Sequence, residues 1–137
     1  MNIIITGATG FVGKNLSKFL KEKGHHISPL SLRKAWELDK NAEAIIHLAG
    51  KAHDTKKLFE EFLNTTAQDF IYFSSVKATA DTVEGFLDEN HKSNPQTPYG
   101  KSKLYAEEYL LSQKLPENKR LFIIRPCMIH GPGNKGN

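Results

Sequence analysis

A single cysteine, Cys127, stands in 137 residues, which excludes an internal disulfide and fits a reducing compartment. Apolar runs stop at four or five residues, too short to cross a bilayer, and Met1 leads into a strand-like pattern instead of a secretory signal. No membrane span is expected, and a cytoplasmic location is. No charge of one sign dominates: the net charge is +4, with lysines spread among Asp and Glu along the whole sequence. That pattern reads as a solvated surface and argues against a nucleic-acid partner. The six histidines form no H-x-x-x-H pair and stand near no cysteine cluster, so no metal site is expected. Internal repeats and low-complexity tracts are absent too.

What the sequence does contain is an ordinary soluble mixture, 39% apolar and 25% charged, in one domain's length of chain. Short apolar runs alternate with amphipathic segments, the signature of a parallel sheet covered by helices. Strands are predicted at Asn2–Ile5, His26–Leu30, Ala44–Leu48, Phe70–Phe73 and Leu121–Ile124. Between the first two, Val12, Leu16, Phe19 and Leu20 recur at helical spacing, with Gly24 placed for a left-handed cap. A second helix is predicted to begin just after Pro98 and to end before Pro116. Leu104, Leu111 and Leu115 form one stripe of it, and Tyr99, Lys103, Ala106 and Leu110 another. The stretch from Asn90 to Pro98, polar and proline-containing, is read as loop.

The segment Thr6-Gly7-Ala8-Thr9-Gly10-Phe11-Val12-Gly13 joins the first strand to the first helix. Strand, G-x-x-G-x-x-G and helix together bring backbone amides at a helix N-terminus up to a pyrophosphate. Gly7 permits the tight turn, Gly10 leaves no Cβ where phosphates approach, and Gly13 lets the helix pack close. Farther on, Tyr99 and Lys103 stand four residues apart on a predicted helix, so their Cβ atoms lie roughly 5 to 6 Å apart. An ammonium so placed stabilises a phenolate, and the pair can exchange a proton with a substrate hydroxyl.

These motifs resemble the extended branch of the short-chain dehydrogenase/reductase superfamily, the NAD(P)-dependent sugar-nucleotide epimerases, dehydratases and reductases. TGATGFVG is similar to that branch's glycine motif. His47-Leu48-Ala49-Gly50 is similar to its H-x-A-A segment, Phe70-Ile71-Tyr72-Phe73-Ser74-Ser75 to the strand delivering the catalytic Ser or Thr, and Tyr99-Gly100-Lys101-Ser102-Lys103 to Y-x-x-x-K. Arg125-Pro126 followed by His130-Gly131-Pro132-Gly133 is similar to its R-P…G-P-G segment. The resemblance implies an α/β fold, a doubly wound parallel Rossmann-type sheet over residues 1–137. It implies Ser75, Tyr99 and Lys103 as catalytic residues. It implies cofactor contacts at Gly7, Thr9, Gly10, Phe11, Val12, Gly13, Arg33, Leu48, Ala49, Gly50, Tyr99, Lys103 and Pro126. His47 is read as packing beside the cofactor, Ser74 as supporting Ser75, and His53 and His130 as lining the mouth of the site.

Arg33, with Ser31 at the end of the second strand, favours NADP slightly over NAD, since an arginine there accepts a 2′-phosphate. Dehydratases of the branch follow their Thr with an Asp-Glu pair, whereas this chain has Val76-Lys77. Epimerase or ketoreductase chemistry on a nucleotide sugar is therefore preferred. The alternative is a non-catalytic dinucleotide-binding module.

Departures from the branch are as informative. Only 11 residues separate Arg33 from Ile45, so the third strand is expected to be vestigial, at Ala35–Leu38. From Gly50 to Ser74 there are 23 intervening residues, which predicts a crossover with a short helix at Lys57–Leu63 and a missing stretch near Thr55–Lys57. The C-terminal substrate domain is expected to be absent. The homodimer common in the branch, built partly on that short helix, is expected to be weakened.

Overall fold

The computed structural model describes residues 1–80, 85 and 87–134. Five strands, β1 (Asn2–Thr6), β2 (His26–Leu30), β3 (Ala44–His47), β4 (Asp69–Phe73) and β5 (Arg120–Ile124), form one sheet in the order β2-β1-β3-β4-β5. All four pairings are parallel. Helix α1 (Phe11–Glu22) connects β1 to β2, α2 (Ala52–Leu63) connects β3 to β4, and α3 (Pro98–Ser112) precedes β5. Each strand lies within one residue of the span that the apolar runs predict.

Strand alternation divides the core between the two faces of the sheet. Ile4, Ile45, Phe70 and Tyr72 face α2 and α3, meeting Leu58, Phe59, Phe62, Ala106 and Leu110. Ile3, Ile5, Ala44 and Ile46 face the other way, toward Leu16 and Leu20 of α1. Phe59, Phe62 and Phe70 are fully buried, and Phe59 meets Phe70 edge to face, ring centroids 5.1 Å apart. Burial of each such ring contributes about 1.5–3 kcal/mol. At the far end of the sheet Arg120 grips Asp69 through two hydrogen bonds, fixing the register of β5 on β4.

Two expectations need correction. Ala35–Leu38 is not a strand: the segment is irregular, with Trp36 and Leu38 packed onto the α2/α3 side of the core. A further parallel strand would need two crossovers of a dozen or more residues each, and only residues 31–43 lie between β2 and β3. Strand β2 is left as an edge, where Pro29, lacking an N–H, is tolerated. Helix α2 in turn is longer than the predicted Lys57–Leu63, because it starts at Ala52. Asp54 accepts from the Lys51 N–H at 2.8 Å and so begins the helix one turn earlier.

A buried polar chain joins β1, β3 and α2. The Thr6 hydroxyl accepts from the Leu48 N–H (3.0 Å) and the Ala49 N–H (3.4 Å), so its own proton goes to His47 Nδ1 at 2.7 Å. On the ring's other side Nε2 lies 2.8 Å from the Thr55 hydroxyl, which donates to the Lys51 carbonyl. His47 is therefore neutral, with its proton on Nε2. Burial pushes its pKa down to about 3, aided by the Lys103 cation and opposed by Asp54.

The sign of the resulting pH dependence follows from linkage. Unfolded His47 takes up a proton near its ordinary pKa of 6.5, and the folded state refuses it until about pH 3. Stability is complete above that ordinary value and declines as pH falls through the window between the two. Urea unfolding of the wild-type chain should lose up to roughly 1.4 kcal/mol per pH unit between pH 6 and 4, and His47→Gln should flatten that slope. Identical slopes in the two proteins would refute this account of His47.

Candidate active site

The order β2-β1-β3-β4-β5 reverses direction between β1 and β3, and in such sheets the crevice lies beyond the strands' carboxyl ends at that reversal. A cleft of about 700 Å³ opens there. Its floor is the turn from β1 into α1. Gly7 has φ +70°, and a Cβ on it would stand 2.7 Å from the Ala49 Cβ. A Cβ on Gly13 would come within 2.1 Å of the Gly7 carbonyl. Both positions exclude a side chain, for conformation at the first and for space at the second.

Gly10 differs, since the nearest protein atom to a Cβ there is the Gly7 oxygen at 3.4 Å. Its open side faces the cleft. As N-cap of α1, Gly10 provides no side-chain cap, and the first helical turn carries no acidic residue. The leading N–H groups of α1, with the positive end of the helix dipole, are thus left for an anion in the cleft. These features fit the diphosphate of a dinucleotide.

The opposite wall comes from β4, α3 and the segment after β5. Pairing between the two strands continues past their ends, with the Ser74 N–H on the Ile124 carbonyl (2.8 Å) and the Val76 N–H on the Pro126 carbonyl (3.2 Å). This brings Ser75 beside Pro126. Ser75 caps the single 3-10 turn Val76–Ala78, accepting from the Lys77 N–H at 3.1 Å. Its hydroxyl proton is left to donate.

Helix α3 begins with Thr97 as N-cap, bonded to the Gly100 N–H, and Pro98 in its first turn. Gly100 lets it approach closely, because a Cβ there would stand 2.4 Å from the Lys77 carbonyl. One turn of helix then presents Tyr99, half exposed, and Lys103 into the cleft. The Lys103 ammonium stands 5.7 Å from the centre of the Tyr99 ring and 5.3 Å from that of Tyr72. Burial pulls the Lys103 pKa below the ordinary lysine value, while the Glu107 carboxylate pushes it back up. Tyr72 is driven up to about 12 by burial and by Glu107, with a Thr55 hydrogen bond acting the other way.

Of the residues predicted for the site, Gly7, Thr9, Gly10, Phe11, Val12, Gly13, Arg33, Leu48, Ala49, Ser75, Tyr99, Lys103 and Pro126 line this one cleft. Gly50 does not. It sits with φ +108° at the entry to α2, where a Cβ would crowd Asp54 and Leu32. His53 and His130 are exposed and also outside the lining. No cluster of three or more metal-ligating side chains occurs among the described residues. Sequence reasoning missed Thr6 and Thr55, the partners of His47, and missed Glu107, whose signal is its place four residues beyond Lys103.

Comparison with known proteins gives the family and the fold. The model of the NAD dependent epimerase/dehydratase family matches residues 3–137. UDP-glucose 4-epimerase of Vibrio cholerae is 28% identical over 99% of this chain and 54% of its own length. UDP-glucuronic acid 4-epimerase from Bacillus cereus, solved with NAD, shares 20% identity and the fold, at a TM-score of 0.83 over 96% of this chain and 57% of its own. RMD from Pseudomonas aeruginosa, solved with NADPH, is 26% identical at a TM-score of 0.77, over 98% and 55%. The chain thus spans about half the length of these relatives. Matched by that family's model over residues 3–137, the chain belongs to the NAD dependent epimerase/dehydratase family.

Proposed function

We propose that this chain is the dinucleotide-binding and catalytic half of an NAD(P)-dependent epimerase or ketoreductase acting on a nucleotide sugar. The observation that carries the reading is the convergence of Ser75, Tyr99 and Lys103 on the cleft floored by the glycine turn. A bound nicotinamide dinucleotide supplies hydride acceptance and return. The protein's share is to bind, orient and move a proton. The α1 N-terminus holds the diphosphate, and Arg33 stands at the same cleft for the adenosine end. Ser75 donates a hydrogen bond to the substrate oxygen, and Tyr99 alone exchanges a proton with that oxygen while the Lys103 ammonium stabilises the phenolate. No carboxylate lines the cleft among the described residues, and Val76 and Lys77 occupy the positions after Ser75. That favours epimerisation or ketone reduction over elimination of water, which needs an acid and base pair. The alternative reading is a module that binds the dinucleotide without turnover.

Arg33 supports NADP over NAD. Fluorescence titration should give at least about tenfold tighter binding of NADPH than of NADH, the scale of one charge-assisted arginine contact. Arg33→Ala should abolish the difference; equal affinities in the wild-type chain would refute the preference.

The catalytic assignment is tested in protein that includes the substrate-binding half. Tyr99→Phe keeps the ring and should lower kcat by roughly 10² to 10⁴ with cofactor affinity nearly unchanged. Lys103→Met should damage both turnover and cofactor binding. Wild-type turnover in Tyr99→Phe would leave the binding-module reading in its place.

A further inference from the structure

Tyr99, Lys103 and Glu107 follow one another at intervals of four on α3, yet only the first two line the cleft. Glu107 is 2% exposed and lies behind them. Its carboxylate accepts from the Ser74 hydroxyl at 2.5 Å, from Arg125 Nε at 2.9 and 3.0 Å, and from Arg125 Nη2 at 2.6 Å. Arg125 continues outward, donating from Nη1 to the Thr79 hydroxyl at 2.6 Å and from Nη2 to the Ser93 hydroxyl at 3.5 Å. Each tie lands beside a cleft wall: Ser74 precedes Ser75, Arg125 precedes Pro126, and Thr79 ends the turn capped by Ser75.

Burying such a pair requires stripping both ions of water, and apolar side chains of similar volume commonly hold a core as well or better. Stability alone is therefore a poor reason for a carboxylate here. We propose that Glu107 is a positioning residue for the reacting groups: by taking the Ser74 hydroxyl and the Arg125 fork together, it locks the strand end carrying Ser75 to the helix face carrying Tyr99 and Lys103. The proposal rests on the catalytic reading of the cleft.

Glu107 also stands as the counter-charge for Lys103, which is faced by Tyr99 from its own helix, Tyr72 from β4 and neutral His47 from β3. Lys77, beyond Ser75, lines the same cleft, and Arg125 is held in its pair with Glu107. Among the described residues, loss of the Glu107 charge leaves Lys103 against the Tyr72 and Tyr99 rings and neutral His47. That gives a readout which a merely structural contact would not move.

The test uses the present chain labelled with carbon-13 at lysine Cε, the Lys103 resonance being identified by its disappearance in Lys103→Arg. In Glu107→Gln the titration midpoint of Lys103 should fall by about one pH unit or more, the scale of an opposite charge lost at close range. Glu107→Asp should restore part of the shift. Should Glu107→Gln fail to fold, the apolar double variant Glu107→Met with Arg125→Met is read instead and should show a fall in the same direction, smaller because the Arg125 cation goes with the carboxylate. A Lys103 midpoint unchanged within about 0.3 unit in a folded variant, with only the melting temperature lowered, would overturn the proposal. Collapse of both variants would do so too, since the pair would then be indispensable to the fold. NADPH titration of the wild-type chain separates the two ideas, because failure to bind would remove the catalytic reading without touching the Lys103 shift.

Discussion

Close approach of backbone to backbone is the constraint on which the cleft depends. Three places leave no room for a side chain: Gly7 against Ala49, Gly13 against the Gly7 carbonyl, and Gly100 against the Lys77 carbonyl. The first two draw the α1 N-terminus onto the ends of β1 and β3, and the third draws the α3 N-terminus onto the turn after β4. A methyl group at any of them would push a helix end outward. The walls that carry Ser75, Tyr99 and Lys103 and the floor at the α1 N-terminus would then lose their common reference to the same strand ends.

Two buried polar systems stand behind these contacts, and they work with opposite protonation. His47 is kept neutral, and its directional chain of hydrogen bonds through Thr6 holds the Leu48 and Ala49 amides over the glycine turn. Glu107 and Arg125 form an ion pair that holds the opposite wall. Lys103 lies between them, lowering the His47 pKa while Glu107 raises its own. The cleft is thus bounded by one network that excludes a charge and another that requires two.

Much of this was legible in the sequence, and the exceptions have physical reasons. Strands and the glycine turn are local signals of period and residue type, and they fell within a residue of their predicted bounds. Helix α2 was underestimated because Lys51-Ala52-His53-Asp54 is polar and lacks an apolar stripe; the capping Asp54 was the signal available. Ala35–Leu38 misled in the other direction, since Trp36 and Leu38 are apolar for reasons of core cover and not of pairing. Glu107, Thr6 and Thr55 act through partners on other elements, and no periodicity within one element announces such a match. On α3 the stripe that is buried contains Ala106 and Leu110, while Leu111, on the other stripe, is 68% exposed. A choice between two helix faces is made by the neighbours, which the sequence of one helix does not name.

The parallel order of the sheet also has a temporal consequence. No strand pairs with another through a hairpin, so each pairing closes a loop whose entropy must be spent before its contacts form. β1 must keep its outer side for β2 while its inner side waits for β3, and β5 can add only after β4 is in place. The cleft takes residues from Gly7 at one end of the chain to Asn134 near the other. A ribosome-bound intermediate holding β1, α1 and β2 already possesses the glycine turn, but it has no opposite wall. Affinity for a dinucleotide therefore waits until β5 has joined the sheet beside β4.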